Sequence, residues 1–405
     1  MQRLADIPGP TTPDQAPTQV DAAHIVVVNP PVAGSVSEDV SGNIYIVGTA
    51  GRAAATPCSD ACPPTIGEVL SLGPDLKQRW DKKFAAAQMV AAVRSNGEIY
   101  FGGNTTAALA GETQVGAEDA TIGKLDPSGA IVWQHQWGAT GGQATVRIGI
   151  QPDGSVLTVG RCSMQAPGNP PDNKGGPFAA RFGADGVRTW LKQHPTSLAI
   201  IASTLTNAQT DAAGLMYLGT TNTSAVVTIN PADGTAIQGP RYTSYGGGFG
   251  HATFAPDFKS FYAGDGKQLA QLNLDGSAIW YRQGATQTAT IEPTEGVKWT
   301  GSFTTLDSAV AATADGIYIS GVYANQYQNG SVARPTTRPI SIALLDPSGQ
   351  QIWFRELLLE TTAGKFTSPS AMGFATHDPA VVVVFFQDSV GTYAVRLSKT
   401  DGAVL

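Results

Sequence analysis

Residues 124–133 read Lys124-Leu-Asp-Pro-Ser-Gly-Ala-Ile-Val-Trp133, a tight turn that leads into a strand ending on tryptophan. The proline and the glycine are typical turn residues, and glycine accepts the positive φ that a short turn between twisted strands requires. Related copies of this pattern occur at 71–80, 181–190, 229–238, 271–280, 344–353 and 397–405. The pattern therefore predicts one β-hairpin that is repeated seven times.

A second pattern alternates with the first and is exemplified by Val40-Ser-Gly-Asn-Ile-Tyr-Ile-Val-Gly48. Its further copies occur at 94–103, 151–160, 211–219, 256–264, 313–321 and 377–384. Two hairpins per unit give four antiparallel strands, and no segment shows a helical apolar period. We therefore predict an all-β fold, a single seven-bladed β-propeller. The approximate blades are 34–84, 86–137, 144–194, 199–243, 250–283, 302–357 and 368–405.

The two ends of the repeat array predict how the propeller closes. The last copy ends at Leu405, one residue short of the tryptophan position, while His24-Ile-Val-Val-Val-Asn29 is strand-like and belongs to no repeat. We therefore expect 24–29 to pair with the C-terminal blade and complete its outer edge, because an unpaired edge promotes aggregation. Residues 1–23, which are rich in proline, are expected to form a flexible spacer of the kind that follows a removed signal or lipid anchor.

Composition excludes several classes of function. The net charge is −7 and no Lys/Arg cluster is present, which argues against a nucleic-acid partner. The longest apolar run, 380–386, is far shorter than the roughly 20 residues that a membrane-spanning helix needs. The five histidines lack zinc spacing, and the aspartate-rich turns lack alternating oxygen ligands, so neither a metal nor a cofactor is expected. We expect a monomer.

The strand-and-turn segments at 39–51 and 124–133 resemble the bacterial SBBP-type β-propeller repeat. The resemblance covers most of residues 34–405. That resemblance implies the propeller fold and an exported protein, so we expect a secreted, periplasmic or cell-surface location. The Asp-x-x-Gly-x-x-x-Trp element is also similar, more distantly, to repeats of quinoprotein dehydrogenases. Those enzymes are expected to have eight blades and a disulfide between adjacent cysteines, and this sequence has neither.

Propeller topology sorts the connections onto two faces, because A–B and C–D turns lie on one face and B–C and D–A connections on the other. All the tight turns fall in the first class. The long connections fall in the second, at 49–66, 104–120, 161–176, 323–339, 138–142, 243–250, 283–301 and 360–369. Long loops in a compact domain are usually functional or disordered, so this long-loop face is the predicted binding face. Because the loops differ between blades, one asymmetric site is favoured over a repeated one.

Candidate ligand-binding residues cluster at the predicted channel mouth. His251 follows a glycine run and is expected to begin the innermost strand of blade 5, where it acts as a ligand contact or general base, or is simply a solvated channel histidine. Arg147, Tyr245, Trp299 and Asp307 are further candidates for the same mouth. The sequence does not combine them into an acid–base pair.

Two other residue sets have a structural or a functional interpretation. Five tryptophans occupy one repeat position and form either an aromatic platform or, as we expect, packing between blades; they are Trp80, Trp133, Trp190, Trp280 and Trp353. Cys58 and Cys62 share one loop and are expected to form a local disulfide, which suits an exported protein. Cys162 has no recognisable catalytic partner.

Two classes of function follow. The first is an exported bacterial propeller that acts as a binding or scaffold module, with a protein, a carbohydrate or a small molecule on its long-loop face. The alternative is an extracellular enzyme of the polysaccharide lyase or hydrolase type, with its site at the channel mouth. A pocket that unites His251, Tyr245 and a charged side chain would favour the enzyme, and a broad apolar patch would favour a protein partner.

Overall fold

The computed structural model of the chain describes residues 18–28, 32–50, 66–84, 87–139, 141–163, 175–195, 205–220, 226–239, 251–264, 268–283, 288–294, 297–302, 309–322, 340–361, 364–365, 370–387 and 391–405. These ranges contain strands and no helix. Contacts divide the chain into two compact units, Asn29–Thr243 on one hand and Met1–Val28 with Ser244–Leu405 on the other.

Two short strands come first in the chain, β1 (Thr18–Val20) and β2 (Ile25–Val28). The unit of residues 29–243 then contains blades 1 to 4, each an antiparallel sheet of four strands in chain order. The strands are β3 (Val32–Glu38), β4 (Ile44–Ala50), β5 (Ile66–Leu72) and β6 (Gln78–Phe84) in blade 1; β7 (Ala87–Val93), β8 (Ile99–Thr105), β9 (Asp119–Leu125) and β10 (Ile131–Trp137) in blade 2; β11 (Gln143–Ile150), β12 (Val156–Cys162), β13 (Gly176–Phe182) and β14 (Arg188–Gln193) in blade 3; and β15 (Leu205–Thr210), β16 (Met216–Thr220), β17 (Val226–Ile229) and β18 (Ala236–Gln238) in blade 4.

The other unit contains blades 5 to 7 and an inserted hairpin. Its strands are β19 (His251–Phe254), β20 (Ser260–Gly264), β21 (Gln268–Asn273) and β22 (Ala278–Gln283) in blade 5; β23 (Thr288–Thr294) and β24 (Val297–Ser302) in the hairpin; β25 (Ala309–Thr313), β26 (Gly316–Val322), β27 (Ile340–Leu345), β28 (Gln351–Thr361) and β29 (Gly364–Lys365) in blade 6; and β30 (Ser370–Ala375), β31 (Val381–Gln387) and β32 (Thr392–Ser398) in blade 7. The predicted all-β, seven-bladed propeller is confirmed.

The outer strand of blade 7 comes from the N-terminal side of the chain, as predicted. β2 pairs antiparallel with β32, with Ile25 opposite Val395 and Val28 opposite Thr392, so that the sheet order is β2-β32-β31-β30. Residues 18–20 fall inside the range predicted as a flexible spacer, but the structure gives them a strand, β1, that pairs in parallel with β28. The predicted spacer therefore extends too far at its C-terminal end, because a strand of three residues has no recognisable sequence pattern.

A second difference concerns the connection between blades 5 and 6. The sequence predicts a long loop at 283–301, whereas β23 and β24 form an antiparallel hairpin there, with Ile291 opposite Trp299. This hairpin is a separate two-stranded sheet that pairs with no other described strand. The hairpin has no local signal in the sequence, because it belongs to neither repeated pattern.

The turns follow the chemistry that the sequence predicts. Six glycines of the C–D turns have positive φ values of 68–86°; they are Gly129, Gly186, Gly234, Gly276, Gly349 and Gly402. In the turn at 126–130 the Asp126 carboxylate accepts hydrogen bonds from the backbone N–H groups of Ser128 (2.8 Å) and Ala130 (3.0 Å). Aspartates of the other hairpins make comparable bonds, so these carboxylates stabilise their own turns.

The five repeated tryptophans pack between blades, as expected. Each indole Nε1–H donates a hydrogen bond of 2.8–3.1 Å to a backbone carbonyl in the C–D turn of the next blade. The pairs are Trp80 with Pro127, Trp133 with Ala184, Trp190 with Pro231, Trp280 with Pro347, and Trp353 with Lys399. The indole faces lie against the turn glycines, where a Cβ atom on Gly186 would approach Trp133 to 2.7 Å.

A β-bulge accompanies each of these tryptophans. The register of the C–D strand pair shifts at the residue before the tryptophan in blades 1, 2, 3, 5 and 6. Blade 4 has Gln238 at the tryptophan position, and its strands β17 and β18 pair without a register shift. Because a bulge redirects the side chain next to it, the bulge turns each indole toward the following blade.

The hydrophobic core lies between the faces of neighbouring blades. One cluster joins blades 2 and 3 through side chains such as Tyr100, Trp137 and Phe178, and the Trp137 and Phe178 rings meet edge to face at 4.6 Å. Equivalent clusters join blades 1 and 2, 3 and 4, 5 and 6, and 6 and 7. This packing holds the strand ends in place and leaves the connections free to form a site.

Candidate functional site

Two described segments make up much of what the structure shows of the long-loop face. The first is the blade 2 loop (residues 106–118), which joins β8 to β9. The second is the connection between β10 and β11 at 138–142, apart from residue 140. Both belong to the unit of blades 1 to 4 and both lie among the connections that the sequence predicts as the binding face.

Asp119, the first residue of β9, anchors the end of the blade 2 loop. Its side chain is fully buried, and the carboxylate accepts hydrogen bonds from the backbone N–H groups of Val115 and Gly116, both at 2.8 Å. The Gln136 amide donates a third bond at 3.0 Å. Gly138 permits this arrangement, because a Cβ atom there would overlap the Asp119 carboxylate. A buried side chain that accepts three hydrogen bonds holds the loop firmly, since breaking such bonds leaves buried polar atoms without partners.

Gln136 fixes the other half of the loop onto the outer strand β10. Its side-chain oxygen accepts a 2.7 Å hydrogen bond from the backbone N–H of Leu109, and its amide nitrogen donates to Gln114 at 2.7 Å. Gln114 in turn donates to the carbonyl of Gly116 at 2.7 Å. The blade 2 loop is therefore bound to the blade at its beginning, its middle and its end.

The connection to blade 3 extends the same network. The backbone N–H of Gln143 donates to the carbonyl of Glu118 at 2.9 Å, which joins the loop to the first residue of β11. Gly142 and Ser163 exchange two hydrogen bonds, at 2.7 Å to the serine hydroxyl and 2.8 Å to the glycine carbonyl. The long-loop ends of blades 2 and 3 thus form one hydrogen-bonded surface.

Several side chains of this surface remain available to a ligand. Val115 is 60% exposed although its backbone is held by Asp119. Glu112 Oε1 lies within hydrogen-bond distance of His135 Nδ1, at 3.0 Å, and the His135 ring stacks on Trp133 with the centroids 5.7 Å apart. An exposed apolar side chain beside a carboxylate–imidazole pair offers both apolar and polar contacts to a partner.

Among the residues predicted at the channel mouth, the structure describes three in part. His251 begins β19, the innermost strand of blade 5, as predicted, and Trp299 lies in the hairpin strand β24. Tyr245 and Asp307 lie outside the described residues. Arg147 belongs to the unit of blades 1 to 4, whereas His251 and Trp299 belong to the other unit.

Arg147 lies within β11 at a register shift between Thr145 and Arg147. Its guanidinium donates a 2.7 Å hydrogen bond to the carbonyl of Val146, and burial lowers its pKa. The side chain is half-buried and turned back onto its own strand. Arg147 is therefore a residue of the inner strand β11 that makes a hydrogen bond to the backbone of its own strand.

Two further titratable residues are parts of the core. Cys162 is buried beside Trp137 and Phe178, and burial raises the pKa of its thiol to about 12, so it is not a thiolate at neutral pH. Burial, with a smaller effect of Lys192, lowers the pKa of His194 to about 4. Cys58 and Cys62 lie outside the described residues, and their disulfide remains a prediction. No three His, Cys, Asp or Glu side chains group around a possible metal position in the described part of the chain.

The residues that build the blade 2 loop were missed by sequence reasoning. Asp119, Gln136 and Gln114 belong to no motif, and their spacing of 5 to 22 positions gives no local signal. One indication was present: the outer strand β10 reads Ile-Val-Trp-Gln-His-Gln-Trp, with three polar uncharged or weakly basic residues in a row. Such side chains at the end of an outer strand are suited to bind a loop.

The comparisons with known proteins support the fold. No protein-family model matches the chain, and no curated protein matches it. Its solved structural neighbours include a catalytically inactive virginiamycin B lyase from Staphylococcus aureus with quinupristin, at 13% identity and a TM-score of 0.51, covering 91% of this chain and 97% of that one. Another is U3-55K, at 8% identity and a TM-score of 0.52, covering 94% and 99%. At such identities the similarity shows the propeller fold alone. Within the described residues, no helix has the length and apolar character needed to cross a membrane.

Proposed function

We propose that this chain is an exported bacterial β-propeller that acts as a binding or scaffold module, and that one partner binds its long-loop face at the blade 2 loop. The observation that carries the proposal is the anchoring of that loop on Asp119 and Gln136, both buried. A loop that is already held in one conformation loses little conformational entropy when a partner binds, and this small loss favours high affinity.

Further observations support this assignment. The fixed loop presents Val115 to solvent and lies beside the Glu112–His135 pair, so apolar and polar contacts are close together. The resemblance of the repeats to exported bacterial propellers supports a secreted, periplasmic or surface location. A single asymmetric site is consistent with a monomer, because nothing in the site requires a second copy.

The experiment compares two substitutions of equal exposure on opposite faces. Val115 in the blade 2 loop is 60% exposed, and Val40 in an A–B turn is 61% exposed. Ligands are first selected with the immobilised protein from a peptide-display library and a glycan array, and their affinities are then measured with Val115→Asp and Val40→Asp. We expect Val115→Asp to weaken binding at least about tenfold, or about 1.4 kcal/mol, and Val40→Asp to leave it unchanged. Equal effects of the two substitutions would refute the assignment of the face.

A second candidate function is an extracellular polysaccharide lyase or hydrolase with its site at the channel mouth. The observation that favours it is the position of His251 at the first residue of the innermost strand of blade 5. A histidine there is suited to general acid–base catalysis. Incubation of the protein with a panel of acidic and neutral polysaccharides tests it: new reducing ends should form with the parent chain and fail to form with His251→Asn.

A further inference from the structure

Residues 18–28 form a segment, here named the strap, that holds two neighbouring blades at their outer edges. Its first strand, β1, pairs in parallel with β28 of blade 6, and its second strand, β2, pairs antiparallel with β32 of blade 7. Every other strand pair in the described chain is antiparallel. The strap therefore adds to blade 6 a strand that the repeat does not provide.

The outer strand of blade 6 is longer than the outer strands of the other blades. β28 has 11 residues, whereas the outer strands of the other blades have three to seven. β28 pairs with β27 as far as Leu357, and β1 pairs with its residues Leu357 to Leu359. Of the β28 residues beyond Leu357, Leu358 and Leu359 pair with β1, whereas Glu360 and Thr361 pair with β29.

Side chains of the strap enter one hydrophobic cluster that joins blades 6 and 7. Val20 is 1% exposed and Ile25 is 6% exposed, and both belong to the cluster that contains Leu357, Leu359 and Val395. Burying such a side chain stabilises by about 1.5–3 kcal/mol. Two buried positions spaced by five residues are therefore the main anchors of the strap.

The rest of the strap contributes backbone pairing but few buried side chains. Val28 is a third buried position, while Val26 and Val27 are exposed. Between the strands, the exposed turn is closed by Asp21, whose carboxylate accepts a hydrogen bond from the Ala23 N–H at 3.0 Å. The sequence requirement of this edge is thus simple: two short strands joined by a turn, with apolar residues at the positions of Val20, Ile25 and Val28.

We propose that the outer edge of blades 6 and 7 is a peptide-binding site for a strand–turn–strand segment with this spacing of apolar residues, and that the chain fills the site with its own strap. Binding is by strand addition, in which backbone pairing provides affinity and the side-chain pockets provide specificity. The described backbone pairing of the strap is with β28 and β32, so a separate peptide of the same sequence can make the same contacts when the strap is displaced.

The test uses the full chain with a protease site inserted within residues 29–31. The protein folds with the strap in place, is then cut, and receives a fluorescein-labelled peptide of residues 18–28. We expect a saturable rise in fluorescence anisotropy that unlabelled peptide reverses. A peptide with Val20→Asp and Ile25→Asp should bind at least tenfold more weakly, whereas the control peptide with Val26→Ser and Val27→Ser, changed at exposed positions, should bind like the parent.

A second variant makes the test independent of cleavage. In the uncut chain, Val20→Asp with Ile25→Asp weakens the strap in place, so this variant should bind the parent peptide while the unmodified uncut chain does not. The proposal is overturned if neither the cut chain nor this variant binds the peptide. It is also overturned if the peptide carrying the two aspartates binds as tightly as the parent peptide, because the anchors would then play no part.

Discussion

The contact between a tryptophan and the turn glycine of the next blade can be tested by a double-mutant cycle at Trp133 and Gly186. Gly186 has a φ of 86°, and a Cβ atom there would lie 2.7 Å from the Trp133 ring and 3.0 Å from His135 Nε2. Gly186→Ala therefore introduces backbone strain and a steric clash together. Trp133→Ala removes the ring, so that in this background the alanine at 186 retains the strain but loses most of the clash.

The two contributions have different expected sizes. A left-handed backbone costs a non-glycine residue about 1–2 kcal/mol, and overpacking costs about 1–3 kcal/mol. Gly186→Ala should therefore cost about 2–5 kcal/mol in the parent protein and about 1–2 kcal/mol in the Trp133→Ala background. The coupling free energy is then about 1–3 kcal/mol. Gly111 provides the matched control, because it has a φ of 82° and nothing within 4 Å of its added Cβ.

Differential scanning calorimetry is the appropriate assay, because it does not depend on tryptophan fluorescence. With 405 residues and an unfolding entropy of about 2.1 cal/mol/K per residue, 1 kcal/mol corresponds to about 1.2 °C in Tm. The coupling should thus appear as about 1–4 °C of non-additivity in Tm. Gly111→Ala should lower Tm equally in both backgrounds. Strictly additive effects of Trp133→Ala and Gly186→Ala would refute the packing account.

Three further outcomes are expected. Burial and Asp81 raise the pKa of Glu68 to about 8, so the folded protein favours the neutral acid. The contribution of Glu68 to the free energy of unfolding is complete below pH 4.5 and is lost as the pH rises through 8. In denaturant titrations, Glu68→Gln should therefore be more stable than the parent by roughly 2–4 kcal/mol at pH 8 and equally stable at pH 4. The lowered pKa of His194 has the opposite effect: its contribution to the free energy of unfolding is complete above pH 6.5 and is lost as the pH falls to about 4. His194→Gln should therefore reduce the dependence of the free energy of unfolding on pH across that interval. An unchanged dependence would contradict the effect of burial on His194. Thiol titration of the denatured, unreduced protein should find one free thiol of the three cysteines, and three would exclude the predicted bond between Cys58 and Cys62.

The fold was predictable because its signals are local and repeated. Turn pairs such as Asp185-Gly186 specify hairpins, and the tryptophan that follows five of these turns marks the packing surface between blades. The closing strand Ile25–Val28 was predictable for two reasons. It is an apolar segment that belongs to no repeat, and the last repeat, which ends at Leu405, lacks its outer strand. These inferences require only short-range sequence patterns and the count of repeats.

The remaining features depend on contacts between distant parts of the chain. β1 is only three residues long, and its pairing with Leu357 to Leu359 follows from the length of β28 and not from its own pattern. The anchoring of the blade 2 loop requires Asp119 and Gln136 to meet across two strands. Neither arrangement leaves a periodic signal, because each depends on side chains whose proximity exists only in the folded blade.

The central claim is that the blade 2 loop is held in one conformation as a preformed binding surface. Amide hydrogen exchange of the free protein tests it most directly at Leu109, Val115 and Gly116, whose backbone N–H groups donate to the side chains of Gln136 and Asp119. We predict exchange at these three amides at least about tenfold slower than in the unfolded chain, which corresponds to about 1.4 kcal/mol of local stability. Asp119→Ala should abolish the protection at Val115 and Gly116. Exchange at unfolded-chain rates in the parent protein would contradict the claim.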